Sequence, residues 1–210
     1  MSRPSDRRAE GSREIIVGVT GATGAAYAQR LLTWLVRREG LTLHVICSQT
    51  AVRIIEMELG RRAGGDRLHV EDWVLPRDQW RARVHDWAED NFMAPIASGS
   101  HPVDGMVIVP CSMRSLASVA VGLGDNLIHR AADCCLKERR RLVLVPRESP
   151  LTATHLDQMA SLARGGVTIL PPDPAWYTRP ESLDDFLDQV AMKICDHLGL
   201  EPDIERRWGG

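Results

Sequence analysis

Short apolar runs alternate along the chain with longer segments in which apolar and polar residues mix. The runs predict six strands, at residues 15–19, 41–47, 69–75, 106–109, 142–145 and 167–170. The longer segments predict helices at residues 25–38, 50–59, 78–90, 112–121, 126–140, 152–164 and 182–198. This alternation is typical of an α/β fold in which helices connect the strands of a doubly wound parallel sheet. Ligands of such sheets bind beyond the carboxyl ends of the strands.

Two details of this assignment depend on local pattern. Trp80 and Trp87 stand one heptad apart in a polar stretch, which favours a helix at 78–90. Glycine and proline mark loops at 61–66, 91–103 and 171–180. No linker is long enough to separate two domains, so we predict one domain at residues 14–210. The polar residues 1–13 are expected to form a disordered leader.

Composition narrows the functional classes. The 210 residues carry a net charge of −2, which favours neither nucleic acid nor an acidic membrane. No apolar run approaches the ~18 residues of a membrane span, and the leader lacks the apolar region of a secretory signal. The five cysteines form no C-x-x-C pair, which indicates reduced thiols in the cytoplasm. The seven histidines show no H-x-x-x-H spacing, so no metal site is expected.

The loop after the first predicted strand contains Gly18, Gly21 and Gly24, in the spacing G-x-x-G-x-x-G. Such a loop lets backbone approach a ligand, and the following helix offers free N–H groups to an anion. A dinucleotide site would also place a carboxylate about 20 positions further on, where residues 43–45 supply none. The loop therefore favours a mononucleotide phosphate over NAD. A tight strand–helix turn without a ligand is the alternative.

Polar residues follow three other strands. Ser48 comes after the second strand and Ser112 after the fourth, where each can bind a ligand or simply cap the next helix. Arg147 and Glu148 follow the fifth strand. Arginine can neutralise a phosphate and a buried glutamate can carry a proton, whereas a surface salt bridge is the alternative. Tyr177 follows the sixth strand at the same edge.

The helix predicted at 126–140 carries Arg130 and Lys137 on one face, because they stand seven residues apart. They could hold a phosphate, or they could form a solvated, ion-paired stripe with Asp133 between them. The apolar surface of this helix extends beyond one stripe, so it should be buried on more than one side, in the core or against a neighbouring subunit. Lys193 lies on the last predicted helix, and its position in the sequence does not show whether it faces a ligand site or the solvent.

Several ordered motifs resemble the UbiX family of flavin prenyltransferases, from about Ile15 to Trp208. They are Gly-Ala-Thr-Gly (21–24), Pro-Cys-Ser-Met (110–113), Asn-Leu-Ile-His-Arg-Ala-Ala-Asp (126–133), Leu-Lys-Glu-Arg-Arg (136–140), Leu-Val-Leu-Val-Pro-Arg-Glu (142–148) and Pro-Ala-Trp-Tyr (174–177). The resemblance implies a single Rossmann-like flavoprotein domain. It also implies a prenyl transfer from dimethylallyl phosphate to N5 and C6 of reduced FMN, without a metal. The product, prenylated FMN, would serve a UbiD-type decarboxylase, and the chains would assemble as dodecamers with sites at subunit interfaces.

The matching motifs also imply roles for individual residues. The FMN contacts would be Gly21, Ala22, Thr23, Ser48, Ser112, Met113, Arg114, Ser115 and Arg147. The prenyl phosphate would be bound by Tyr177, Lys193, Arg130 and Lys137. The catalytic groups would be Glu58, Glu148 and Thr23. Two positions depart from the family pattern, since Thr23 replaces a serine and Phe92 stands where the family often has tryptophan.

Two other functions fit parts of this pattern. An FMN-dependent cysteine decarboxylase would carry a catalytic histidine after the second strand and a Pro-Ala-Ser-Ala-Asn-Thr-like segment. The corresponding stretches, residues 48–52 and 94–100, contain neither the histidine nor the asparagine. A non-catalytic subunit that delivers flavin to a decarboxylase would need no acid or base. The presence of Glu148, Lys137 and Tyr177 therefore favours the enzyme.

Overall fold

The computed structural model describes residues 12–62, 67–173 and 175–201. These residues form one parallel sheet with helices on both faces. The strands are β1 (Arg13–Val19), β2 (Leu41–Cys47), β3 (Arg83–Trp87), β4 (Gly105–Cys111), β5 (Arg141–Pro146) and β6 (Thr168–Ile169). The helices are α1 (Ala25–Leu35), α2 (Gln49–Leu59), α3 (Val70–Trp73), α4 (Met113–Val121), α5 (Leu127–Lys137), α6 (Ala153–Arg164) and α7 (Leu183–Leu198). None of these helices is long and apolar enough to cross a membrane.

The strand order is β3-β2-β1-β4-β5-β6, and every neighbouring pair is parallel. This order confirms the predicted doubly wound fold of six strands. The chain leaves β1 toward β2 on one side and returns to β4 on the other. A crevice therefore opens between the loops after β1 and β4, where ligands of this fold bind.

Successive side chains of the central strands point to opposite faces of the sheet, so that each face has its own hydrophobic core. Ile15 and Val17 of β1 pack into the core beneath α1, α2 and α7. Ile16 packs into the opposite core, beneath α4, α5 and α6. Residues buried on both faces explain why the central strands appear in the sequence as continuous apolar runs.

The third strand was predicted in the wrong place. Residues 69–75 form the short helix α3, in which Val70 and Trp73 are buried at helical spacing. The amide of His69 donates to the Asp72 carboxylate at 2.7 Å and begins this helix. The helix predicted at 78–90 is also wrong, because β3 lies at Arg83–Trp87. An edge strand needs no apolar run, since pairing with β2 supplies its stability and its side chains stay partly exposed.

The other predicted elements are confirmed, with ends shifted by a few residues. Five helices begin at a polar residue whose side chain accepts a hydrogen bond from a backbone N–H of the first turn. These capping residues are Ser48, Ser112, Asn126, Thr152 and Ser182. The predicted loops at 91–103 and 171–180 each contain one 3₁₀ turn, Pro95–Ala97 and Trp176–Thr178. Residues 1–11 of the predicted leader and 63–66 of the first predicted loop lie outside the described residues.

A polar cluster fastens the segment after β3 to the sheet. Glu14 Oε1 accepts hydrogen bonds from His44 Nε2 at 2.6 Å and His101 Nε2 at 2.5 Å. Trp87 Nε1 donates to His44 Nδ1 at 2.9 Å, so the proton of neutral His44 is on Nε2. The ligand atoms of Glu14, His44 and His101 lie within 4.8 Å of one another. Both nitrogens of His44 are already engaged, however, which leaves no lone pair for a metal ion.

We expect Glu14→Gln to remove an acid-sensitive contribution to stability. Burial by itself would raise the pKa of Glu14, but the hydrogen bonds from His44 and His101, together with the charge of His101, outweigh it and lower the pKa from 4.5 to about 2. The ionised carboxylate therefore stabilises the fold fully above pH 4.5, and this stabilisation is lost as the pH falls toward 2. The difference in melting temperature between the parent and Glu14→Gln should be largest at neutral pH and shrink across that interval.

The exposed Glu56 of α2 provides the control, since Glu56→Gln should change the melting temperature little at any pH. A parent–variant difference for Glu14→Gln that stayed constant down to pH 2 would contradict the assignment.

Candidate active site

The loops after β1 and β4 are joined by one buried hydroxyl. Thr20 Oγ1 donates to the carbonyl of Pro110 at 2.8 Å and accepts from the amide of Ser112 at 2.8 Å. The residue is 2% exposed. Thr20 therefore fixes the glycine loop against the turn that begins α4, at the crevice where the strand order reverses. Sequence reasoning missed this residue, although a hydroxyl directly after a buried strand was the available signal.

The glycine loop also lies in contact with the start of α2. A Cβ added to Gly21 would be 2.2 Å from Thr50 Cγ2 and 2.5 Å from Thr50 Cβ, so only glycine allows this approach. The Ser48 amide donates to the Val19 carbonyl at 3.0 Å. Ser48 Oγ caps α2 by accepting from Ala51. Ser48 thereby begins α2 directly after β2, next to Thr50, which contacts Gly21.

The turn at Ser112 presents unused backbone donors. Ser112 Oγ accepts from the Ser115 amide at 3.2 Å, so the predicted cap is present. Among the described residues, none accepts from the amides of Met113 and Arg114, which begin α4. The Arg147 amide donates to the carbonyl of Cys111 at 3.2 Å, so this exposed arginine lies beside the same turn. Two free amides, the positive end of a helix and a guanidinium together suit a phosphate.

The start of α1 already holds a negative charge. Glu58 Oε2 accepts from the amides of Gly24 at 2.9 Å and Ala25 at 2.8 Å. The sequence suggested that a ligand phosphate could use this helix start, but the chain supplies its own carboxylate there. The start of α4 is consequently the freer anion site. Glu58 thereby lies next to Gly24 and Ala25, at the end of the glycine loop that contains Thr23.

A separate cavity lies between β6 and α7. Its volume is about 280 Å³, and Tyr177, Lys193, Asp173 and His197 contribute to its lining. The Tyr27 hydroxyl donates to the carbonyl of Pro172 at 3.4 Å and connects the rim of this cavity to α1. Burial raises the pKa of Tyr27, the charge of Asp173 raises it further, and Arg147 opposes them.

Glu148 follows Arg147 at the same sheet edge. It is exposed, so the burial expected of a proton-carrying glutamate is not present within one chain, and its Oε1 accepts from the amide of Ser149 at 3.1 Å. The described contacts join the glycine loop, Ser48, Ser112 and Arg147 at this edge, whereas Glu58 lies at the start of α1 and Glu148 follows Arg147 along the chain. Tyr177 and Lys193 are united in the neighbouring cavity.

Arg130 and Lys137 lie elsewhere in a single chain. They belong to α5, which packs on the sheet face opposite to α7. Arg130 donates through Nε to the Ala97 carbonyl at 3.0 Å and pairs with Asp133 at 2.9 Å, so the predicted ion-paired stripe exists in part. Gly99 lies against Lys137, because a Cβ added there would be 2.8 Å from Lys137 Cε. One copy of the chain does not bring these cations to Tyr177 and Lys193.

Gly21→Ala should destabilise the chain because its new methyl group overlaps Thr50. Overpacking of this kind costs about 1–3 kcal/mol in the free energy of unfolding, which chemical denaturation measures. Removing the Thr50 side chain opens the space, so Gly21→Ala with Thr50→Gly should recover part of that loss. Thr50→Gly alone gives the reference. A double variant no more stable than Gly21→Ala would show that the overlap with Thr50 is not the cause.

Comparison with known proteins agrees with this geometry. The family model "Flavoprotein" matches residues 3–194. A probable UbiX-like flavin prenyltransferase of Streptomyces sp. (strain D7) is 44% identical over 196 residues, covering 93% of this chain and 92% of the relative. A dodecameric FMN-dependent UbiX-like decarboxylase from Escherichia coli O157:H7 has a TM-score of 0.81 at 40% identity, covering 94% of this chain and 100% of the other. AnUbiX (PadA1), solved in complex with FMN and dimethylallyl pyrophosphate, has a TM-score of 0.81 at 39% identity, covering 95% and 98%. The chain therefore belongs to the flavoprotein family and, within it, to the UbiX-type flavin prenyltransferases.

Proposed function

We propose that this UbiX-type flavin prenyltransferase joins the dimethylallyl group of dimethylallyl phosphate to N5 and C6 of reduced FMN at the edge formed by β1, β2, β4 and β5. The observation that carries the proposal is that two separate groups of hydrogen-bond donors lie at the carboxyl ends of the strands. One is the start of α4 with Arg147, and the other is the cavity that contains Tyr177 and Lys193. Two phosphate-bearing substrates require two such sites.

The first site fits the phosphate of FMN. The free amides of Met113 and Arg114 and the guanidinium of Arg147 donate to phosphate oxygens, while Ser48 and residues 21–23 line the approach. The reduced flavin supplies the electron-rich ring atoms that accept the prenyl group. The chain fixes its position, because Thr20 and Gly21 hold the three loops around it in close contact.

The second site fits the phosphate of the prenyl donor. Breaking the allylic C–O bond leaves additional negative charge on that phosphate, and fixed donors stabilise it best where water is excluded. Tyr177 and Lys193 provide donors within one chain. We propose that Arg130 and Lys137 come from a neighbouring subunit, since α5 and α7 lie on opposite faces of their own sheet.

The distribution of exposed apolar side chains supports a contact between subunits. Large apolar side chains are exposed at the end of α4 and on nearby loops, with Val121 at 72%, Leu123 at 52% and Met93 at 92%. Contiguous exposed apolar patches mark surfaces that other chains cover, and we propose that these three side chains form part of one. We propose the dodecamer that the Escherichia coli relative forms as the assembly of this chain.

In this proposal Glu148 and Glu58 carry out the proton transfers. Glu148 takes the proton that leaves flavin C6 and passes protons to the released phosphate. Glu58 is held by two amides beside Thr23, whose hydroxyl replaces that of the family serine. A mere carrier of flavin would need neither carboxylate. We further propose that the product passes to a UbiD-type decarboxylase in the cytoplasm.

Anaerobic incubation with reduced FMN and dimethylallyl phosphate, followed by mass measurement of the flavin, tests the activity. In this assay Glu148→Gln should bind FMN normally but form prenylated flavin about 10²–10⁴-fold more slowly, which is the usual contribution of a placed acid or base. Arg147→Ala should instead raise the dissociation constant of FMN about tenfold or more, because a charged phosphate donor is lost.

Arg164→Ala, at the exposed end of α6, is the matched control for the loss of a positive charge. Product formation by Glu148→Gln at the parental rate would remove the catalytic role of Glu148 and leave flavin binding intact. Unmodified flavin from the parent protein would contradict the activity itself.

A site shared between subunits predicts complementation between variants. Arg130→Ala and Lys193→Ala should each be nearly inactive alone. When the two are dissociated and reassembled together, some sites receive an intact Arg130 from one copy and an intact Lys193 from another. Product formation should therefore rise above the sum of the separate variants, while sedimentation shows an assembly larger than the 23.3 kDa chain. Unchanged activity in mixed oligomers would place all these residues in one chain.

A further inference from the structure

The turn that carries Tyr177 is hydrogen-bonded on both sides to one side chain of α7, Gln189. Gln189 Oε1 accepts from the amide of Ala175 at 2.9 Å, on one side of the turn. Gln189 Nε2 donates to the hydroxyl of Thr178, on the other side. That hydroxyl donates in turn to the Ala175 carbonyl at 2.8 Å. One amide group thus holds both ends of the 3₁₀ turn Trp176–Thr178.

Burial contributes little to the placement of this turn. Trp176 is 73% exposed and Tyr177 is 50% exposed, so burial stabilises the turn little. The turn ends at Arg179 in the left-handed region with φ of 51°, a conformation that costs a non-glycine residue free energy and requires support from its surroundings. An edge contact between the rings of Trp176 and Phe186, 5.4 Å apart, is a second link to α7.

Gln189 also fixes the distance between two proposed ligands of the prenyl phosphate. Gln189 and Lys193 stand four residues apart on α7, so they lie on the same face one turn apart. Both line the 280 Å³ cavity together with Tyr177. The position of Tyr177 relative to Lys193 therefore depends on the hydrogen bonds of Gln189.

We propose that Gln189 is a positioning residue for the prenyl donor, which sets the Tyr177 turn opposite Lys193 so that both reach the same phosphate. This inference rests on the proposed function, in which Tyr177 and Lys193 bind that phosphate. Gln189 acts through Tyr177 and does not itself contact the reacting atoms. Sequence reasoning gave no signal for it, because a glutamine on an amphipathic helix has no distinctive spacing.

The test uses Gln189→Met, which keeps the length of the side chain and removes both hydrogen bonds. Its KM for dimethylallyl phosphate should rise about tenfold, since a displaced binding group commonly costs that much or more. The kcat should change less than KM, and the dissociation constant of FMN should stay at the parental value, because FMN binds at α4. Gln158→Met, on α6 and away from the cavity, is the matched control and should leave KM unchanged.

Two further variants separate positioning from a general structural role. Thr178→Ser keeps the hydroxyl and should retain the parental KM, whereas Thr178→Val removes it and should raise KM as Gln189→Met does. In a Tyr177→Phe background, Gln189→Met should raise KM no further, because the group that it positions is already lost. Thr178→Val also carries the test if Gln189→Met folds poorly, as judged by its melting temperature.

A parental KM in both Gln189→Met and Thr178→Val would overturn the inference, and so would a full additive effect of Gln189→Met in the Tyr177→Phe background. If the parent protein formed prenylated flavin normally in those experiments, the proposed function would remain. A parent that formed no prenylated flavin would instead contradict the proposed function.

Discussion

The hydrogen bonds of Thr20 join the two halves of the sheet at the point where the strand order reverses. The β1–β2–β3 half and the β4–β5–β6 half pair along the backbones of β1 and β4, but the loops beyond those strands need a further connection. A buried hydroxyl that donates to Pro110 and accepts from Ser112 supplies it. Because Ser112 begins α4 and lies beside Arg147, this small contact aligns the glycine loop with the free anion site.

The two helix starts at this edge have different electrostatic states. The carboxylate of Glu58 occupies the amides at the start of α1, whereas the amides of Met113 and Arg114 at the start of α4 have no acceptor among the described residues. An N-terminal helix dipole attracts negative charge in both places, but only one of them is open to a ligand phosphate. A glycine-rich loop thus serves here to bring backbone close to α2 and to seat a carboxylate next to Thr23.

The positions of α5 and α7 explain why the cationic residues are divided. The alternation of buried residues in β1 sends α5 to one face and α7 to the other, and Arg130 and Lys193 go with them. An enzyme that needs both can combine them across a subunit contact. In the proposed arrangement assembly and catalysis would depend on each other, since the phosphate of the prenyl donor would lie between chains.

The sequence by itself determined the fold class, the central strands and the helix caps. Strands buried on both faces must be apolar throughout, and a helix start exposed to solvent needs a capping hydroxyl or amide such as Ser48 or Asn126. The order of polar residues after those strands also determined which groups meet at the sheet edge, because parallel strands end on the same side. The motifs gave the family, since their order along the chain is specific.

Only the tertiary structure decided the rest. The edge strand β3 depends on pairing with β2, and its half-exposed residues gave no apolar run that could distinguish it from a helix. Glu58 reaches Gly24, 34 positions away, and Gln189 reaches across to Thr178, because packing of whole elements brings them there. Hydrogen bonds between residues distant in sequence produce no periodic pattern along the chain. The contacts of Glu58 with the start of α1, of Thr20 with Pro110 and Ser112, and of Gln189 with the Tyr177 turn are therefore seen only in the tertiary structure.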